Sequence, residues 1–409
     1  AAERGQAMQQ SQGLIAAQAL AGAYDVGPTA PVVEAGHALA RNHTESLAVV
    51  QGGLEELGVP RGLARQIAED DHRIGLRIYL LDNSGSTTKW DGKVLDEDAV
   101  SRRCSLRQTT RWEEICTLAR DHARWNLAVG TPCEFLLLNS RYRAAGDPIV
   151  PDRDSLRVDG ARGSEAEQLQ RLAAFLQHNE PRGVTPLADR LEDIGAIVDA
   201  NLRELALRNQ VVFVVVVTDG LPTSRFSGES TQKDRADMVV AMKRLFALGP
   251  VHMVIRLCTD EDETIEFYNA IDRDEELPLD ILDDIGGEAA EVDSKRNGWF
   301  AYSPLIHRIR EAGTLCSIFD DIDEGPLHLE QVRVFARMLL DDGRRPVAGL
   351  SDEHLVREAR RAAQEPGHLV FDARRMSMRP AVDASRLRVA LRVSLFTTLR
   401  AALCPCLAP

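Results

Sequence analysis

Residues 211–217 read Val-Val-Phe-Val-Val-Val-Val, seven apolar side chains in a row between Gln210 and Thr218. The run is far shorter than the roughly 20 residues needed to cross a bilayer. Its β-branched side chains lose rotamer freedom in a helix and fit a pleated strand. With polar residues at both ends it describes a strand buried on both faces, the signature of a parallel sheet covered by helices on either side. The surrounding pattern agrees. Ile74, Leu76, Ile78 and Leu80 alternate as a strand, and 135–138 and 251–258 are further apolar runs. Between them lie stretches with helical apolar spacing, at 112–127, 165–178, 186–207, 233–248 and 264–272. Strand–helix alternation of this kind predicts an α/β fold with a doubly wound, mostly parallel sheet flanked by helices. The polar, Gly-, Pro- and Asp-containing stretch 141–164 reads as a loop or insertion.

On either side of this block the pattern changes. Residues 1–70 are Ala-rich and loosely amphipathic, broken at Gly27-Pro28 and Pro31, with Pro60 opening a short helix. They predict a helical N-terminal extension packed on an α/β domain spanning 71–323. Residues 324–409 are Arg-rich and predict a helical C-terminal extension. Its last segment, 386–409, interleaves Leu, Val and Phe with Arg388, Arg392 and Arg400. Packing on its own domain is the expected fate of such a helix, with a membrane surface as the alternative. From Asp260 to Asp293 fifteen carboxylates face the single Arg273, a bias that has to be solvated, paired or offered to a partner. Neutralisation by the Arg-rich end is the expected outcome.

Charge and cysteine usage narrow the function classes. A formal net charge of −14 leaves no dense basic face to displace counterions from phosphates, so nucleic acid is not an expected partner. No apolar run is long enough for a transmembrane segment, and no basic-then-apolar leader opens the chain. The seven cysteines, at 104, 116, 133, 258, 316, 404 and 406, include no C-x-x-C pair. They read as reduced thiols of an intracellular, cytoplasmic protein, with Cys404-Pro405-Cys406 in an exposed tail.

Open α/β sheets bind ligands beyond the carboxyl ends of their strands, and three segments meet that requirement. Leu81-Asp82-Asn83-Ser84-Gly85-Ser86 follows the first strand. Gly183-Val184-Thr185-Pro186-Leu187 is a turn entering a helix. Thr218-Asp219-Gly220 follows the valine run. Together they supply Asp82, Ser84, Ser86, Thr185 and Asp219: two carboxylates and three hydroxyls, with no His or Cys among them. Oxygen-only ligands suit a hard octahedral cation such as Mg²⁺ or Mn²⁺. Alternation within D-x-S-x-S lets a carboxylate and two hydroxyls face one point, and Gly85 permits the bend. Each motif alone is common, because Ser, Thr, Asp and Gly also populate ordinary turns. It is their order and their placement at strand ends that carry weight.

The constellation resembles the metal-ion-dependent adhesion site of von Willebrand factor A domains: D-x-S-x-S after the first strand, a loop Thr, then an Asp after the fourth strand. All five positions match in order, as does the G-x-T-P-L and T-D-G wording around them. The stretches 254–269, 279–288 and 299–323 are also similar in wording to a lineage of such proteins in algae and other protists. The resemblance implies a Rossmann-like fold over about residues 70–320. It also implies a Mg²⁺ or Mn²⁺ ion held by Asp82, Ser84, Ser86, Thr185 and Asp219, open to an acidic side chain of a partner protein. The implied role is protein–protein interaction rather than catalysis. A Mg²⁺-assisted hydrolase is the alternative, with Asp260 or Asp262 as a base. A P-loop, a G-x-S-x-G elbow, an H-E-x-x-H helix and a second carboxylate cluster are all missing. A further alternative is a metal-independent dock for a basic protein on the acidic stretch. Recruitment of substrates within a larger assembly, as in ubiquitin ligases of the copine-binding type, would need a Cys/His-rich module from a partner. Trp90, Trp299, Phe300, Tyr302 and His307 read as core or lid packing.

Overall fold

Strand β1 (Ile74–Leu81) and strand β6 (Val211–Thr218) are buried along their whole length and lie side by side, in register from Arg77↔Phe213 to Leu81↔Val217. They form the centre of a six-stranded sheet in the order β5-β4-β1-β6-β7-β8. The flanking strands are β4 (Cys133–Leu137), β5 (Ser155–Val158), β7 (Val251–Leu257) and β8 (Leu279–Leu282). All pairings are parallel except β4 with β5. This computed structural model describes residues 47–97, 104–141, 149–160, 162–275, 277–345 and 347–392. The expected helical stretch before residue 47, the Cys404-Pro405-Cys406 segment and the tail beyond 392 lie outside the described residues.

Period-two alternation sorts the sheet's side chains to its two faces. Leu76, Ile78, Leu80, Val212, Val214, Val216, Met253 and Ile255 pack with Leu191 and Ile194 of helix α5 (Leu187–Asp199), Met238 and Met242 of α7 (Gln232–Ala247) and Tyr268 of α8 (Asp262–Glu275). Tyr79, Leu81, Phe135, Leu137, Val215 and Val217 pack on the opposite side with Ile115 and Ala119 of α3 (Arg111–Val129) and Leu172 of α4 (Glu165–His178). The result is a mostly parallel sheet with helices on both faces, compatible with a Rossmann-like fold. Local chemistry sets the helix ends. Ser164 caps α4 in a capping box with Glu167, and Thr110 accepts the Glu113 N–H at the start of α3.

A third apolar cluster joins the first and last described segments. It includes Val50 and Leu54 of α1 (Leu47–Glu56), Leu63 and Ile67 of α2 (Arg61–Asp71), and Trp125 and Val129 of α3. From the other end come Trp299, Phe300, Phe319 and Phe335, with Leu387 and Leu391. The described part of the terminal basic segment therefore buries its leucines in the protein's own core. Among the described residues no helix is long and apolar enough to cross a membrane.

Several elements differ from the sequence reading. The stretch 141–164 is not all loop: it contains the edge strand β5, whose four residues are too few to show a periodicity. The single helix expected over 186–207 is broken at Ala200-Asn201 into α5 and α6 (Leu202–Arg208). A hairpin of β2 (Gly92–Glu97) and β3 (Cys104–Thr109) follows β1, and β8 completes the sheet edge, neither anticipated. Beyond residue 323 the chain is not purely helical, because Leu369–Asp372 and Ser377–Pro380 pair as an antiparallel ribbon. The acidic stretch 260–293 is drawn into internal pairs. Lys93 bridges Asp260 and Asp284, Lys89 holds Glu261, Arg235 holds Glu263, and Lys243 holds Glu275. Among the described residues, only Asp293 is met from the Arg-rich end, by Arg374 and Arg386. Neutralisation is thus mostly supplied by the α/β block itself.

Candidate functional site

The connection after β1 leads to α3 and towards β4, whereas the connection after β6 leads to α7 and β7, on the other side. β1 and β6 are neighbours whose following loops diverge, which makes their carboxyl ends the topological switch point of the sheet. Asp82 follows β1 directly and Asp219 follows β6 directly, and the Asp82 N–H donates to the Val217 carbonyl at 2.9 Å. The two carboxylates are therefore brought together by strand pairing.

Four of the five expected residues form one hydrogen-bonded row, in which the oxygens of Ser84, Ser86 and Asp219 touch and Asp82 joins through the Ser84 main chain. The Ser84 N–H donates to Asp82 Oδ1 at 2.8 Å, Ser84 Oγ lies 2.9 Å from Ser86 Oγ, and Ser86 Oγ donates to Asp219 Oδ1 at 2.9 Å. Asp82, Ser84 and Asp219 are buried, while Ser86 is partly open. Thr185 belongs to the second segment. Its N–H donates to Thr223 Oγ1 at 3.0 Å and its carbonyl accepts from the Thr223 N–H at 2.9 Å, which ties it to the loop after β6. Its hydroxyl sits 3.8 Å from where a Cβ on Gly220 would project. Asp82, Ser84, Ser86 and Asp219 are thus gathered in space, and the Thr185 hydroxyl lies beside Gly220.

A layer of residues that the sequence reading passed over holds this cluster in place. Thr218 Oγ1 donates to Asp82 Oδ2 at 2.7 Å. The Asn83 carboxamide pairs with the main chain of Asn139, and Asn139 Nδ2 donates to the Val184 carbonyl at 2.7 Å, linking the ends of β1 and β4 to the Thr185 turn. The Gly85 N–H donates to the Gly183 carbonyl at 3.1 Å. Gly183 has φ +73°, and a Cβ there would meet Asn139 Oδ1 at 2.7 Å, so only glycine fits. Buried Tyr268 donates to the Gly220 carbonyl at 3.0 Å.

Arg111 is the largest omission. It is the first residue of α3, 1 % exposed. Its Nη1 donates to Asp219 Oδ2 at 3.0 Å, its Nε and Nη2 grip Asp91 at 2.7 Å each, and Nη2 also reaches Glu261 at 3.0 Å. A sequence signal existed: a cation at a helix N-terminus opposes the helix dipole and calls for nearby carboxylates. Nothing local said which ones.

Electrostatically the cluster is short of positive charge. Burial, then the nearby Asp219 carboxylate, pushes Asp82 up to about 7 despite its hydrogen bonds from Thr218 and Ser84. Burial also raises Asp219, with Arg111 and Ser86 pulling the other way. The geometry fits a small hard cation. Metal–oxygen bonds of about 2.0–2.1 Å at right angles place neighbouring ligand oxygens about 2.9 Å apart, the spacing of Ser84 Oγ, Ser86 Oγ and Asp219 Oδ1. Asp82, Ser84, Ser86, Thr185 and Asp219 could hold such an ion. Asp260, considered above as a base, has both oxygens on Lys93 at 2.8 and 3.0 Å.

Elsewhere, Asp342, Glu365 and His368 are the one group of His, Cys, Asp or Glu among the described residues with three potential ligand atoms within 4.8 Å of one another. These side chains already have partners among themselves and with Arg361. His368 Nε2 lies 3.3 Å from Asp342, and Arg361 holds Glu365 at 3.2 Å. Five described cysteines, at 104, 116, 133, 258 and 316, are free thiols, and burial raises the thiols of Cys116, Cys133, Cys258 and Cys316. Compared with known proteins, the chain matches no family model and no curated sequence.

Proposed function

We propose that the chain is a von Willebrand factor A-like binding module, in which Asp82, Ser84, Ser86, Thr185 and Asp219 hold a Mg²⁺ or Mn²⁺ ion that receives an acidic side chain of a partner protein. The observation that carries this reading is the hydrogen-bonded row from Asp82 through Ser84 and Ser86 to Asp219, with Ser84 Oγ, Ser86 Oγ and Asp219 Oδ1 at successive 2.9 Å spacings, on the sheet's switch point. When bound, the ion would supply an electropositive coordination position for a carboxylate. The residues supply the rest. Asp82 and Asp219 provide the charge, the two serines and Thr185 provide neutral oxygens, and Asn83, Asn139 and Thr218 keep the three loops in register.

Two features of the surroundings favour a protein partner. Trp90, 67 % exposed, lies between Lys89 and Asp91, whose main-chain or side-chain oxygens bind Arg111 beside the site. Phe226, 89 % exposed under the Arg225 guanidinium, belongs to the loop that Thr223 ties to Thr185. Exposed aromatics of this kind are typical anchors of interfaces. The metal-independent acidic dock is less favoured, because so many carboxylates of 260–293 are engaged by the chain's own lysines and arginines.

The test is calorimetric titration of the intact chain with Mn²⁺, followed by capture of acidic partner proteins in Mg²⁺ against chelator. Saturable binding lost in Asp82→Ala, with partner capture lost in chelator, supports the reading. Absence of Mn²⁺ binding, or partner capture indifferent to chelator, would remove the cation from the mechanism.

A further inference from the structure

We infer that Arg111 is a built-in competitor of the cation, a fixed positive charge on Asp219 that sets the divalent-ion concentration at which the site fills. The inference rests on the cation-binding reading above. Arg111 does not sit among the ligand oxygens but on the far oxygen of one of them: Asp219 gives Oδ1 to Ser86 and Oδ2 to Arg111 Nη1 at 3.0 Å. Any ion reaching Asp219 shares that carboxylate with the guanidinium. Arg111 is buried and held from behind by the two-point grip of Asp91 and by Glu261, so it has no open route into solvent when an ion arrives. Lys89, paired with Glu261 at 2.5 Å, adds a second positive charge on the same side.

The charge count shows what this does. Asp82 and Asp219 alone would present two negative charges to a divalent ion. The guanidinium bonded to Asp219 offsets part of that charge, in competition with its bonds to Asp91 and Glu261. Arg111 therefore keeps the module from being permanently loaded and makes loading responsive to cation supply. The protein accepts an arginine at the unfavourable end of the α3 dipole, and the carboxylates of Asp91, Asp219 and Glu261 hold it there.

The size of the effect follows from Coulomb's law. At an effective dielectric of about 20, the repulsion between a unit charge and a divalent ion sharing one carboxylate exceeds what a tenfold change in affinity requires. Arg111→Gln keeps a hydrogen-bonding side chain and removes the charge, and Arg111→Lys keeps the charge and loses the two-point grip. Asp91→Asn, at a half-exposed position, loosens that grip and leaves the guanidinium freer to bind Asp219.

The experiment measures Mn²⁺ affinity of the full chain and its variants by the electron paramagnetic resonance signal of free Mn²⁺, with thermal unfolding to confirm a folded baseline. Arg111→Gln is expected to bind Mn²⁺ at least about tenfold more tightly than the wild type. Arg111→Lys should stay within about threefold of wild type, and Asp91→Asn should bind about threefold more weakly. If the wild type binds, Asp82→Ala does not, and Arg111→Gln is unchanged or weaker, the competitor role is overturned while the cation site stands. If Arg111→Lys tightens as much as Arg111→Gln, geometry rather than charge is responsible and the inference also fails. Should Arg111→Gln not fold, Asp91→Asn decides: unchanged or tighter binding overturns the inference. No Mn²⁺ binding by any form overturns both the inference and the reading beneath it.

Discussion

Two buried clusters of charge involve α3, one through Arg111 and the other through Glu114 and His122, and they are built on different plans. At the carboxyl ends of β1 and β6, Asp82 accepts from the Thr218 hydroxyl and the Ser84 N–H, and Asp219 accepts from the Ser86 hydroxyl and from Arg111. In the second, which reaches α9 (Pro304–Ala312), the carboxylates meet one guanidinium and two imidazoles. Arg256 in β7 bonds Glu311 and Glu114 at 2.9 Å each. His122 and His307 approach Glu311 at 3.4 and 3.1 Å. Asn126 donates to the Tyr79 oxygen, leaving the Tyr79 proton for His122 Nδ1, and Arg310 and Tyr302 do the same for His307 Nδ1. Both ring protons then fall on Nε2, facing Glu311. Burial works against ionised Glu311, yet His307, His122 and Arg256 hold it well below the ordinary carboxylate range. Asp82, by contrast, is pushed up to about 7. The lesson is that burial alone does not make a binding site. A cluster whose central carboxylate is held by a guanidinium and imidazoles stabilises the packing of α3, α9 and the sheet. One whose central carboxylate, Asp82, is opposed by burial and by Asp219 is suited to taking up a cation.

The largest expected effect tests the second cluster. Arg256→Met leaves Glu114 and Glu311 buried without their guanidinium and should cost about 3–5 kcal/mol of stability by urea unfolding. A loss below about 1 kcal/mol would show that the two clusters do not differ as described. The counterpart at the site is Asp82→Asn, which removes one of two facing negative charges. Cation-free stability should be unchanged or higher, while the cation-induced stabilisation, about 2.7 kcal/mol at a hundredfold excess over Kd, disappears from the melting curve. A large cation-free loss in this variant would make Asp82 a structural residue like Glu311.

A third measurement concerns an imidazole outside both clusters. His252 stacks on Phe213 with ring centroids 5.1 Å apart, and burial, helped by Arg73, lowers it to about 4. The unfolded chain takes up this proton first, so its contribution is complete above about 6.5 and is lost as pH falls towards 4. Discounted for partial exposure, the difference between wild type and His252→Gln across that window is expected to be about 2 kcal/mol. Parallel stability–pH curves for the two proteins would contradict it. The smallest effect should come from Ser84→Ala or Ser86→Ala. Each removes one neutral oxygen and should trim the Mn²⁺-induced melting shift by about 1 kcal/mol or less, whereas complete loss would place the serines on a par with Asp82.

Local pattern was enough to identify the elements whose burial repeats along the chain. β1, β6 and β7 announce themselves as runs of buried residues, α4 was bounded correctly by Ser164 and His178, and the five oxygen-bearing residues stand out because Ser, Asp, Thr and Gly interrupt apolar strands at their ends. Periodicity is a property of neighbouring residues, so one chain displays it without its partners. The edge strands β5 and β8, four residues each, and the β2–β3 hairpin were not legible, because their stability comes from pairing with strands distant in sequence. Arg111, Arg77 and Arg256 belong to the same category. Each is a cation where local rules disfavour one, at a helix start or inside a buried strand, and the sequence names no counterion. Asp219 and Asp91 for Arg111, Asp71 for Arg77, and Glu311 and Glu114 for Arg256 are supplied by other elements. The order of the chain determined which residues could be ligands. Only the sheet, by setting β1 beside β6 and bringing α3 against their ends, decided the charge that surrounds them, because Coulomb interactions depend on distance in space rather than along the chain.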